Sequence, residues 1–66
     1  MNILVNGERT SAEDKMTLGA LIESMALEGT RYAVEVNEEL IPRSQHACHQ
    51  LQEGDAVEIV QAIGGG

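Results

Sequence analysis

The chain closes on Gly64-Gly65-Gly66, directly after Gln61-Ala62-Ile63. Glycine has no side chain to pack and loses more backbone entropy on ordering than any other residue. These three therefore add nothing to a core. What they offer is a thin, flexible tail that fits a narrow channel, with one reactive group, the carboxylate of Gly66. A carboxylate is a poor electrophile at neutral pH. It becomes an acyl donor once it carries a better leaving group, such as AMP from reaction with ATP. The acyl-adenylate then accepts sulfur or an amine. Side chains on Gly65 or Gly66 would obstruct the channel, which gives a physical reason for glycine there. The competing reading is that the tail is inert filler.

Other reactive side chains are less suited to chemistry. Cys48 stands between His46 and His49. A cysteine nucleophile needs a lowered pKa and a base within reach. Near neighbours in an irregular segment supply neither, so Cys48 reads as an ordinary thiol. As metal ligands, His46, Cys48 and His49 have poor spacing and no second cluster to complete a site. Glu8, Glu38 and Glu39 read as solvated charges. So do Glu53, Asp55 and Glu58, which could also line a surface for a basic partner. The sequence carries no phosphate-binding glycine loop, dinucleotide fingerprint or nucleophilic triad. We expect no catalytic residue, no metal and no intrinsically bound cofactor. ATP would have to be held by another protein.

Composition narrows the setting. The chain has 66 residues, enough for one domain. A chain of this size buries only about 60% of the surface its unfolded form exposes, so its stability is modest. It lacks Phe and Trp, which makes the core aliphatic. Eleven acidic residues face four basic ones, for a net charge of −7. That balance argues against tracking nucleic-acid phosphates or an anionic membrane. No stretch approaches transmembrane length, and the start lacks the basic and apolar regions of a signal peptide. A single cysteine excludes an internal disulfide. These features favour a cytoplasmic protein, monomeric when free.

The elements that position the tail can be read in order. Ile3-Leu4-Val5 is a short strand ending at Asn6-Gly7, a dipeptide suited to a type I′ turn. Glu8 to Ala12 returns beside it as a polar outer strand. Thr17 is placed to cap a helix over residues 18–27. Leu18, Leu21, Ile22 and Met25 give that helix one apolar stripe, and Gly29 is suited to its C-terminal cap. Tyr32, Val34 and Val36 alternate with Ala33 and Glu35, as in a half-buried strand. After a turn at Asn37-Glu38-Glu39, Leu40-Ile41 forms a short extended piece, restricted by Pro42 to an edge. Residues 43–50 lack a clean period, with room for one irregular helical turn, and Leu51 is a candidate core plug. Glu53-Gly54-Asp55 is a turn, and the last strand covers residues 56–61.

This order requires an α+β fold in which one main helix covers one face of a small mixed sheet. The first and last strands are the most apolar and belong at its centre. A β-grasp sheet sets them side by side, although the direction of their pairing is left open by the sequence. Residues 1–63 form the domain and residues 64–66 a flexible reactive tail. If Val57 and Ile59 face the core, Val60 faces outward by the two-residue period of a strand, as does Leu4 beside Ile3 and Val5. With Ile63, these residues form a candidate docking patch next to the tail.

The chain resembles the thiamin-biosynthesis sulfur-carrier proteins over essentially all of its length. The resemblance rests on Ile3-Leu4-Val5-Asn6-Gly7, on Val36-Asn37 with Ile41-Pro42-Arg43, and on Glu53-Gly54-Asp55. Its most specific piece is Glu58-Ile59-Val60-Gln61-Ala62-Ile63-Gly64-Gly65-Gly66. The resemblance implies a ubiquitin-like β-grasp fold. It implies that a partner ATP-dependent activating enzyme adenylates Gly66, that a sulfur-donor protein supplies the sulfur of a terminal thiocarboxylate, and that thiazole synthase receives it. Gly65 and Gly66 match the family's terminal pair, whereas Gly64 falls where the family varies. The protein would then be a cosubstrate rather than an enzyme. A terminal Gly-Gly is shared with the molybdopterin synthase sulfur-carrier subunit and with ubiquitin-like modifiers. Those readings, and a β-grasp interaction module with an inert tail, stay open.

Overall fold

The computed structural model describes residues 1–27 and 31–61. Their elements follow the order β1 (Asn2–Val5), β2 (Glu8–Ser11), α1 (Leu18–Ser24), β3 (Tyr32–Val36), β4 (Glu39–Leu40) and β5 (Ala56–Gln61), with a short 3₁₀ helix at Arg43–Gln45 before β5. The strands form one sheet in the order β2-β1-β5-β3-β4. β1 and β5 run parallel and the other neighbouring pairs run antiparallel. The sheet is therefore mixed, and its two most apolar strands adjoin. Among the described residues no helix is long and apolar enough to cross a membrane.

Period-two alternation divides the sheet into a buried face and an open one. Ile3, Val34, Val36 and Val57 turn inward and meet Leu18, Leu21 and Ile22 of α1 in one aliphatic core. Ile41 and Leu51 close its edge, so the residue expected to plug the core from the irregular segment does so. Met25, Tyr32 and Ile59 pack against it while half-buried.

The β1–β2 hairpin turns at Asn6 and Gly7, with φ of 50° and 84°, as a type I′ turn demands. A second such turn joins β3 to β4 at Asn37 and Glu38, with φ of 53° and 69°. Asparagine tolerates the left-handed region, but glutamate gains nothing there and its Cβ is strained. We expect Glu38→Gly to stabilise the protein by about 0.5–1 kcal/mol, the relief of Cβ strain outweighing the greater entropy of glycine in the unfolded chain. Chemical denaturation checks this, and a fall in the midpoint would contradict it.

The helix is shorter than its apolar stripe suggests. It starts at Leu18, as expected, with Thr17 Oγ1 accepting from Ala20 N at 3.2 Å. It ends at Ser24 rather than near residue 27. Ser24 Oγ donates to Leu21 O at 2.6 Å, an alternative bond that competes with helix continuation. Ala26 then takes φ 49°, the left-handed geometry that closes a helix. The cap expected at Gly29 lies outside the described residues.

The helix start is docked rather than exposed. Leu18 N donates to His49 O and Gly19 N to His46 O, both at 2.8 Å, and Leu51 N donates to Met16 O at 2.9 Å. These bonds satisfy N–H groups that a helix cannot pair internally. They also explain why residues 43–50 lack a period: that segment follows the end of α1 rather than a sheet or helix face.

Candidate partner-docking face

The open face of the sheet is built around β5, the strand that leads towards the glycine tail. Parallel pairing aligns Leu4 with Ala56 and Val5 with Val57, and there β1 ends. β5 continues past that end for four more residues. Its exposed backbone is taken over by the hairpin turn, where Asn6 Oδ1 accepts from Ile59 N at 2.8 Å and Asn6 N donates to Val57 O at 2.8 Å. At the other end of β5, Asn37 Oδ1 accepts from Ala56 N and Asn37 Nδ2 donates to Asp55 Oδ1, both at 3.0 Å. Two turn asparagines thus clamp the strand that carries the tail. Sequence reasoning used both only as turn formers. Their preference for left-handed φ is visible in the sequence, but their reach to β5 follows only from strand order.

Leu4 and Val60 occupy this face, 38% and 63% exposed. Leu40, 62% exposed, joins them because it lies opposite Glu35 in the β3–β4 register. It was not among the expected docking residues, because a two-residue strand before Pro42 gives no period from which to read a facing direction. Ile63, Gly64, Gly65 and Gly66 lie outside the described residues.

Glu35 and Glu58 stand directly opposite each other on β3 and β5, in the middle of the face. Val60 and Ala33 pair in the row nearer the tail. Both carboxylates are exposed, and among the described residues neither has a hydrogen-bond or ion-pair partner. Two other acids read as solvated charges have local tasks instead. Glu53 Oε1 accepts from Asn2 N at 3.0 Å, and Asp55 Oδ2 accepts from Gln52 N at 2.8 Å. They pin the turn before β5, leaving Glu58 as the member of that acidic group facing the open sheet.

The histidine–cysteine segment lies elsewhere and has a structural role. His46 is buried, and its Nε2 lies 3.0 Å from Ile41 O. A carbonyl only accepts, so Nε2 carries the proton. Its ring meets Tyr32 edge-on at 6.2 Å, while Arg43 lies 3.9 Å from the centre of the Tyr32 ring. Cys48 is exposed, with Sγ donating to Gln45 O at 3.5 Å. Among the described residues, no group of three His, Cys, Asp or Glu side chains could hold a metal ion.

A five-stranded mixed sheet with one covering helix, parallel first and last strands, and an open face around the last strand define a small ubiquitin-like β-grasp protein. The chain belongs to the ThiS family, whose model matches residues 2–66. It is 32% identical over 66 residues to the sulfur carrier protein ThiS of Escherichia coli, with each chain covered in full. It is 38% identical over 66 residues to part of a thiazole synthase of Paramagnetospirillum magneticum, spanning 20% of that protein's length. The crystal structure of a thiamine biosynthesis protein (ThiS) from Geobacter metallireducens superposes with a TM-score of 0.86 at 28% identity, covering 100% of both chains.

Proposed function

We propose that this protein carries sulfur for assembly of the thiamin thiazole ring, as a cosubstrate rather than an enzyme. The observation that carries this reading is the extent of the family match, which runs through residue 66 and so includes all three glycines. In the reaction, the Gly66 carboxylate attacks the α-phosphorus of ATP on an activating enzyme, forming the acyl-adenylate and releasing pyrophosphate. Sulfur at the oxidation level of sulfide, delivered by a donor protein, then attacks the acyl carbon. A C–S bond forms, the bond to AMP breaks, and a thiocarboxylate results. Thiazole synthase is the acceptor. That assignment is supported by a relative in which a segment like this chain forms part of a protein called thiazole synthase. We place the work in the cytoplasm, where ATP is available.

Intact mass after incubation with activating enzyme, ATP and a sulfur donor tests the reading. Exchange of one oxygen for one sulfur at Gly66 supports it, and an unchanged mass under competent conditions refutes it. Transfer to thiazole synthase, but not to the large subunit of molybdopterin synthase, identifies the acceptor.

In this reading the body supplies recognition and Gly64, Gly65 and Gly66 supply access. Leu4, Val60 and Ile63 form the apolar docking contact. We expect Leu4→Ser with Val60→Ser to weaken partner binding roughly 10-fold or more, since truncating central apolar contacts dominates interface losses. Unchanged affinity by calorimetry would reject the patch.

A further inference from the structure

The open face pairs exposed aliphatic side chains with an uncompensated charge, and that combination selects its occupant. Leu40 lies beside Glu35 on β4, opposite it in register. Val60 and Ala33 form the next row towards the tail, while Ala56 and Leu4 form an aligned pair on the other side. The Glu35–Glu58 pair is therefore framed by apolar residues on three sides. Directly opposed residues of an antiparallel pair have Cβ atoms about 5 Å apart, and like charges there are destabilising. Folding alone gives no reason to hold two carboxylates in that position. A local conflict of this kind is expected where a surface serves binding.

We propose that this face docks thiazole synthase through a basic side chain, an arginine, that lies across Glu35 and Glu58 while Leu40 and Val60 exclude water around it. The inference rests on the sulfur-carrier reading and adds the chemistry by which the acceptor recognises the carrier. A planar guanidinium has several donors and stays charged, so one arginine can bridge two carboxylates. A second copy of this chain is a poor occupant. It would bring another acidic face towards this one, on a protein of net charge −7.

The test measures binding of the full chain to purified thiazole synthase across a range of salt. The wild type is expected to bind, with affinity falling as salt rises. Glu35→Gln with Glu58→Gln is expected to lower affinity at low salt roughly 10- to 100-fold and to flatten the salt dependence. Because that change relieves repulsion, the variant should melt no lower than the wild type, which separates lost binding from lost folding. Glu8→Gln, on the outer strand β2, should bind as the wild type does. The inference is overturned if the double Gln variant keeps wild-type affinity and salt dependence, if wild-type protein does not bind the synthase, or if sedimentation shows a dimer built on this face. Intact mass distinguishes the two levels. Failure of the wild type to take up sulfur defeats the carrier reading, whereas normal uptake with unaltered binding of the Gln variant defeats only this inference.

Discussion

Replacing Gly66 with a bulky residue such as leucine, or appending one residue after it, is expected to abolish sulfur loading while leaving the domain folded. Either change moves or encumbers the one carboxylate that must reach the α-phosphorus of ATP in a partner's active site. A misplacement of about 1 Å at a reacting centre can reduce rate roughly 100-fold, and an added residue displaces the carboxylate by several times that. The buried core runs from Ile3 to Val57, so its packing does not depend on residue 66. Thermal unfolding and far-ultraviolet circular dichroism should match the wild type. Intact mass after incubation with activating enzyme, ATP and sulfur donor reads the loss directly. Wild-type loading of the Gly66→Leu variant would refute the assignment of Gly66 as the sulfur-bearing residue.

That prediction separates the reactive end from the body, and the described residues favour the same division. Their buried polar group, His46, is committed to Ile41 and Tyr32. Cys48 is an exposed thiol whose near neighbour His46 is engaged elsewhere. What the body does build with care is the position of β5. Asn6 holds it where β1 gives out, and Asn37 holds its first residue. A carrier whose tail must be offered to successive enzymes benefits from a fixed strand behind that tail, because ordering cost then falls on few residues.

Much of this was legible from residue pattern. The strands at Tyr32–Val36 and Ala56–Gln61 follow from strict alternation, and the hairpin follows from Asn6-Gly7. Val57 is fully buried and Val60 exposed, as the two-residue period requires. Pattern failed where a bond between distant residues decides the outcome. The apolar stripe continues to Met25, yet the helix stops at Ser24 because a side-chain bond and a left-handed Ala26 end it. Leu40 sits on the docking face through its register with Glu35, which no local period reveals. The opposition of Glu35 and Glu58 likewise depends on the β3–β5 alignment, across a separation in sequence too long for any local rule.

Gly19 carries the other large effect, and here the expected result concerns stability. A Cβ built on Gly19 would lie 3.2 Å from His46 O, 3.3 Å from Ala47 Cα and 3.3 Å from His46 C. All three are backbone atoms and cannot swing aside as a flexible side chain would. They belong to the segment whose carbonyls accept from Leu18 N and Gly19 N, so relief of the clash pulls on those same bonds. Gly19→Ala places one methyl at that limit. Its gain of about 1 kcal/mol in helix propensity offsets the crowding, and the net change should be small. Gly19→Val adds two further carbons with a smaller propensity gain. It should destabilise the protein by about 1–3 kcal/mol, equivalent to roughly 5–20 °C in Tm for a domain of this size. Denaturant titration of the two variants side by side checks the contrast, and amide exchange at Leu18 and Gly19 should quicken in Gly19→Val before the central strands open. Equal stability of the two variants would mean that the start of α1 and residues 46–47 separate without loss, and that the close approach does not hold the helix in place.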